Sequence, residues 1–190
     1  ASAPTATITL PGNFAYTALP VISGTFLEEC SNMNPGDGVQ VVIQSDSLLE
    51  YWNGSGWDAV WYAAAHWRNA TAVGGGVWSL TDPALNAEFE SLKASNASLR
   101  YRLYLRAKDL AGNQSRPGAA APVNPEVVFT LDPVVPVSQV TSPANGAYLK
   151  ATISSIGGNA SDVSLGVPSD LAQVKIRLSR LDSSSTRSYY

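Results

Sequence analysis

An antiparallel β-sandwich, followed by the first half of a second one, is the fold predicted by this chain of 190 residues. Three observations carry it. Short β-branched or alternating runs recur between turn signals, with no long helical period. Leu99 to Lys108 alternates strictly, with Leu99, Tyr101, Leu103, Leu105 and Ala107 on one face and Arg100, Arg102, Tyr104, Arg106 and Lys108 on the other. The chain also repeats itself: Pro4–Tyr16 aligns with Pro136–Tyr148, Ile22–Phe26 with Ile156–Ala160, and Asp37–Ile43 with Asp170–Ile176. Pro11 and Pro143 are 132 residues apart, far longer than a solenoid repeat, so each copy reads as a whole domain. A complete all-β domain is expected over residues 1–132, and a truncated second one over 133–190.

The elements follow in order. Thr5–Leu10 alternates and reads as a first strand, closed by the turn Pro11-Gly12-Asn13. Val21–Leu27 is a second strand, and Ser31–Gly38 a loop rich in Asn, Pro, Gly and Asp. Val39, Val41 and Ile43 then point one way, and Gln40, Val42 and Gln44 the other. Copy two repeats this with Val174, Ile176 and Leu178 against Lys175, Arg177 and Ser179, a strand with one dry and one wet face. Tyr51–Trp57 reads as a hairpin with Asn53-Gly54 as its turn signal. Val60–Trp67 suits a strand, while Ala63-Ala64-Ala65 within it suits a short helix. Val77–Leu80 is a short strand after Gly74-Gly75-Gly76. Pro83–Leu92 has helical spacing, with Asp82 as N-cap and Pro83 at the first helical position, and one or two turns are expected there at most. Asp109–Asn113 is a turn, and Val127–Leu131 closes the domain. Asp132-Pro133-Val134-Val135-Pro136 is a short, proline-stiffened linker.

Composition narrows the function classes. Charged residues are only 14% of the chain, its net charge is −3, and its Lys and Arg are scattered, so no basic stripe offers itself to nucleic acid. No apolar run approaches the roughly 20 residues of a membrane span. Cys30 is the only cysteine, which excludes an internal disulfide; it reads as a small buried apolar side chain. Scarce charge with abundant Ser, Thr, Asn, Gly, Ala and Val suits an extracellular β-protein. Ala1-Ser2-Ala3-Pro4 reads as a start after signal cleavage, or as an interdomain linker, and the whole as a piece of a longer array.

Three stretches carry a family resemblance. They are Thr141-Ser142-Pro143-Ala144-Asn145-Gly146, with a weaker counterpart at Thr9–Asn13; Tyr51-Trp52-Asn53-Gly54-Ser55-Gly56-Trp57; and Tyr101–Lys108 followed by Asp109-Leu110-Ala111-Gly112-Asn113. Together they resemble the tandem bacterial immunoglobulin-like domains of large secreted and cell-surface proteins. The resemblance implies an antiparallel immunoglobulin-like sandwich and a non-enzymatic structural or adhesive role at a cell surface or in a filament. It implies partners that are neighbouring immunoglobulin-like domains or copies of the chain itself. The long aromatic stretch at Val60–Ala94 departs from the pattern and is a place for a binding surface.

Candidate sites are few. His66 is the only histidine, and Asp58, Asp82 and Glu88 lie too far along the chain to imply an orienting acid, so no catalytic residue is assigned and His66 is expected at the surface or half-buried in a sheet. Among the oxygen-bearing side chains, Asp109 and Asn113 are the weak Ca2+ candidates, with Asp37, Asp132, Asp162, Asp170, Glu28 and Glu29 in loops; turn capping is the favoured role, and no cofactor is required. Trp52, Trp57, Trp61 and Trp67 are the binding candidates, either packing on the sandwich or a subunit, or stacking on sugar rings as a carbohydrate-binding accessory surface over residues 51–78. Asn53, Asn69, Asn96, Asn113 and Asn159 sit in Asn-x-Ser/Thr sequons. Copy two, alone, has an open edge and an uncovered apolar face. Its completion is expected from a longer polypeptide, or from a neighbouring molecule's strands in head-to-tail polymers.

Overall fold

A computed structural model describes the chain except for residues 1, 20, 28–31, 35, 95–98, 117, 119, 150–151, 165–166, 169–172, 182–186 and 190. Cys30, Glu28, Glu29, Asn96 and Asp170 lie outside the described residues. Two compact units are present, residues 1–134 and 135–190.

Unit 1 contains β1 (Thr5–Leu10), β2 (Ala15–Tyr16), β3 (Ile22–Leu27), β4 (Val39–Ser45), β5 (Tyr51–Trp52), β6 (Trp57–Asp58), α1 (Ala63–His66), β7 (Arg68–Asn69), β8 (Ala72–Gly74), β9 (Val77–Leu80), α2 (Pro83–Ala94), β10 (Leu99–Ala107) and β11 (Val127–Leu131). One sheet runs β1-β3-β9-β8. The other runs β2-β11-β10-β4-β5-β6, with β7 also paired to β4. Every ladder is antiparallel except β2 with β11. The longest is β4 against β10, in register from Val39↔Ala107 to Ser45↔Tyr101.

The alternation read in Leu99–Ala107 holds on its apolar side. Tyr101, Leu103 and Leu105 meet Val39, Val41 and Ile43 of β4, Phe129 and Leu131 of β11, and Ile22, Trp78 and Leu80 of the other sheet, in a single buried cluster. Burying large apolar side chains of this kind contributes about 1.5–3 kcal/mol each. Gly24 shows how closely the layers fit. The Trp78 indole lies over it and donates from Nε1 to the Thr7 carbonyl at 3.1 Å. A Cβ on Gly24 would stand 1.8 Å from that carbonyl oxygen and 2.8 Å from the indole nitrogen.

Asp82 caps α2 as its sequence position predicts. Oδ1 accepts the amides of Ala84 and Leu85, both at 3.1 Å, while Oδ2 accepts the Trp52 indole N–H at 2.8 Å in the buried interior. The helix is longer than the one or two turns expected: its 12 residues make about three. Tertiary burial supplies the reason. Leu85 and Phe89 lie in the core, and the Phe89 ring sits 5.1 Å from Tyr101.

A second expectation is corrected at β4. Gln40, Val42 and Gln44 are not a wet face, because every residue of this strand is buried. Residues 57–69 fold back over that side and exclude water from it.

Unit 2 contains β12 (Val137–Ser142), β13 (Gly157–Ser161), β14 (Val163–Ser164), β15 (Val167–Pro168), β16 (Ser179–Leu181) and β17 (Arg187–Tyr189), paired as three two-stranded ribbons. The strand expected at Val174–Leu178 is not formed. Residues 173–178 have no ladder, and Val174, Ile176 and Leu178 are 56%, 57% and 50% exposed. A strand needs a ladder partner and a core for its dry face; among the described residues no strand pairs with this segment, and its apolar side chains stay exposed.

Two predictions follow from the unit 1 core. Gly24→Ala should lower unfolding free energy by about 3 kcal/mol, because carbonyl and indole must both shift; chemical denaturation reads it. Asp82→Ala removes a cap and strands a buried indole N–H. It should cost about 2–4 kcal/mol, with part of that loss absent when Trp52 is already Phe; a double-mutant denaturation cycle reads the coupling.

Candidate functional site

The aromatic stretch builds a second, smaller core on the outer face of β4 and β10. Val42, Trp67 and Tyr104 are its buried members, with Tyr51, Trp61 and Ala63 packed around them. Three local structures position these groups. The β5–β6 hairpin pairs Tyr51↔Asp58 and Trp52↔Trp57 around a four-residue loop, in which Asn53 Oδ1 accepts the Ser55 and Gly56 amides. Gly54, at φ +100°, packs against the Arg68 guanidinium, whose Nη1 donates to the Asn53 carbonyl; a Cβ there would stand 2.4 Å from Nη2. The single turn α1, the helical reading of Ala63-Ala64-Ala65, then turns His66 and Trp67 inward.

His66 is fully buried and helical, not the surface or half-buried sheet residue expected. Sequence distance also misleads about its partner, since Asp58 Oδ2 lies 2.9 Å from Nε2. Nδ1 accepts the Tyr62 amide N–H at 2.9 Å, which places the ring proton on Nε2, donating to Asp58. The rings of Tyr51, Trp61 and Tyr62 stand 5.4, 5.3 and 6.2 Å from the imidazole. Both ring nitrogens are therefore engaged inside the protein, with no lone pair left for a general base. Asp58 also accepts the Asn53 side-chain amide at 3.0 Å. That bond first, and His66 second, hold its carboxyl below the ordinary 3.8.

The polar side chains above β4 and β10 are similarly consumed. Arg106 stacks its guanidinium 4.2 Å over Trp67 and donates from Nε to Gln40 Oε1; Gln40 Nε2 donates to Asn69 Oδ1. The Tyr104 hydroxyl donates to Gln44 Oε1 at 2.8 Å. A groove of about 320 Å³ beside Trp67 runs past Arg116, Val123 and Asn124, and the Trp67 indole N–H has no hydrogen-bond partner.

Of the four tryptophans named as binding candidates, Trp52 and Trp67 are 2% and 6% exposed and present no open face. Trp57 is half-buried, stacked 5.7 Å from Tyr101. Trp61 is half-buried against Tyr51, edge to face. The structure thus divides them between two cores. Asp109 and Asn113 close on each other: Asp109 Oδ1 accepts the Asn113 amide at 2.8 Å and Oδ2 its side-chain N–H at 2.7 Å. Asp37 accepts Lys108 Nζ at 2.7 Å, and Asp132 caps the Val134 amide. Among the described residues no three His, Cys, Asp or Glu converge on a metal position. The side-chain amides of Asn53, Asn69 and Asn113 are all hydrogen-bonded within the fold.

Two acidic residues escape a reading of the sequence. Asp46, nearly buried, pairs with both Arg100 and Arg102. Glu126 accepts the Leu105 amide at 2.9 Å and the Arg116 guanidinium at 2.5 Å, with burial raising its pKa. Arginines at alternate positions of a strand are the only hint of the first.

Comparison with protein-family models, with curated proteins and with solved structures finds no match to the chain.

The Asp58 network predicts an acid-sensitive second core. Its carboxyl titrates lower folded than unfolded, so the stabilisation is complete above the unfolded value near 3.8 and is lost as pH falls through the lower folded value. Asp58→Asn should therefore destabilise at pH 7, and the gap between the two proteins should close as pH falls below about 4. Urea midpoints across that range measure it.

Proposed function

We propose that the chain is a non-enzymatic structural or adhesive module, built from immunoglobulin-like domains, of an extracellular bacterial surface or filament-forming protein. One observation carries this reading: the strand order of unit 1. In the lettering of immunoglobulin domains, β1, β3, β9 and β8 take the places of A, B, E and D, and β4, β10 and β11 those of C, F and G, with β5 as C′. For these eight strands chain order and sheet order follow that lettering, while β2, β6 and β7 are additional to it. The domain departs from the antibody pattern in having one cysteine and so no disulfide between its sheets, and in carrying α2 between the E and F positions.

A second hairpin of the same geometry supports repetition. β1 pairs β3 from Thr5↔Leu27 to Leu10↔Ser23, with an irregularity between Ile8 and Leu10; β12 pairs β13 from Val137↔Ser161 to Ser142↔Gly157, with the same irregularity between Val140 and Ser142. Repeated sandwiches on a proline-stiffened linker suit projection or assembly from a surface. The extracellular address rests on composition and on the family resemblance. The non-enzymatic part is supported by the occupied nitrogens of His66.

The address is tested by labelling intact source cells with antibodies raised against the purified chain. Labelling without permeabilisation is the expected result, and labelling only after lysis would overturn it. The carbohydrate-binding alternative must rest on Trp57 and Trp61, the two candidates that keep some exposure. On a glycan array, binding that disappears in Trp61→Ala at unchanged thermal stability would favour that alternative over the structural reading.

A further inference from the structure

We propose that the Leu48-Leu49 turn of one copy seats in the groove beside Trp67 of another, an open head-to-tail contact between copies of this chain. Leu48 and Leu49 are 62% and 54% exposed and belong to neither core of unit 1. Leu49 also holds φ at +56°, in the left-handed region that a bulky side chain seldom enters. The turn is nevertheless firmly held. The Leu49 amide donates to the Ser45 carbonyl at 2.9 Å, the Ser45 amide to the Glu50 carbonyl at 2.8 Å, and the Asp46 amide to the Arg100 carbonyl at 2.8 Å. The Asp46 carboxylate pairs with Arg100 and Arg102. The fold gains little burial from these two leucines, yet fixes one of them in an unfavourable backbone conformation at a tip. An outlier of that kind points to a contact made outside the fold.

The groove supplies the matching hollow. At about 320 Å³ it lies at the small end of binding sites, with room for aliphatic side chains and not for a large ligand. Ala120, Ala121, Pro122 and Val123 give it apolar walls, and Trp67 forms another side. Arg116, also in its wall, is spent on the Val123 carbonyl at 3.0 Å and on Glu126, which fixes the loop and matches that charge. Turn and groove lie toward opposite ends of the β4–β10 ladder. The turn follows Ser45, which pairs with Tyr101. The groove lies by Trp67, under Arg106, and by the loop that leaves Ala107 through Ser115, whose hydroxyl accepts the Ala107 amide. The ladder from Val39↔Ala107 to Ser45↔Tyr101 spans about 20 Å, so a copy cannot seat its own turn in its own groove. A knob near one end and a hollow near the other make a heterologous contact, which repeats from copy to copy. Two leucines in a small groove fall short of the roughly 1,200 Å² buried in a stable complex, so each contact is weak and gains from copies held side by side.

The inference deepens the module reading and rests on it in one respect, that the partner is a second copy. Sedimentation of the 190-residue chain up to millimolar concentration tests it. The average mass should climb past that of a dimer. Leu49→Gly, which suits the left-handed backbone, should weaken association about tenfold or more with no loss of thermal stability. Val123→Asp, at a position 72% exposed, should weaken it comparably. An equal mixture of the two variants should recover association and stop at a one-to-one pair, because one retains the groove and the other the turn. An undiminished rise in either variant would overturn the proposal, as would a mixture that stays monomeric. A wild-type chain that stays monomeric or stops at a dimer would overturn it as well. So would a lower melting temperature in Leu49→Gly, which would show the side chain serving the fold. Cell labelling reads a different property, so failure here and failure of the surface address are distinguishable.

Discussion

The ladder between β4 and β10 is the constraint to which the rest of unit 1 answers. Its register, Val39↔Ala107 to Ser45↔Tyr101, places Val41, Ile43, Leu103 and Leu105 on one side and Val42, Gln44 and Tyr104 on the other. Both sides are apolar enough to need cover. The four-stranded sheet and α2 cover the first. The excursion from Trp57 to Asn69 covers the second. Charged groups at this face are matched locally: Arg106 stacks on Trp67 and donates to Gln40, and the nearly buried Asp46 pairs with Arg100 and Arg102. A domain with one cysteine, and hence no internal disulfide, gains a second layer by this route.

That arrangement changes how the aromatic stretch is understood. A cluster of indoles and phenols in a sequence suggests a stacking surface, yet most of these rings face inward. The imidazole of His66 belongs to the same packing. It is held at both nitrogens, walled by three aromatic rings, and joined through Asp58 to the hairpin loop at Asn53. An imidazole bonded at both nitrogens holds one chain path in place.

Much of the framework was legible in the residues, because it obeys local rules. The alternation of Leu99–Ala107, the cap at Asp82 and the hairpin at Tyr51–Trp57 each depend on spacing alone. What escaped depends on contacts between distant segments. The length of α2 comes from Leu85 and Phe89 meeting the core. The dry outer face of β4 comes from residues that follow it by some twenty positions. Asp58 reaches His66 only because the chain turns back through α1. At Val174–Leu178 the failure runs the other way: the period was right for a strand, but no ladder partner is present among the described residues.

The short strand β2 has a mechanical meaning. After running antiparallel to β3 in one sheet, the chain crosses to the other and lies parallel to β11, bonded from the Phe14 carbonyl to the Thr130 amide and from the Tyr16 carbonyl to that of Asp132. Parallel strands drawn apart by their opposite ends slide along each other. Tension entering through β2 and leaving through β11 would load these bonds together, in shear, instead of opening them one after another like a zip. β1 and β2, one in each sheet, thus tie the two layers of unit 1 together through one short stretch of chain.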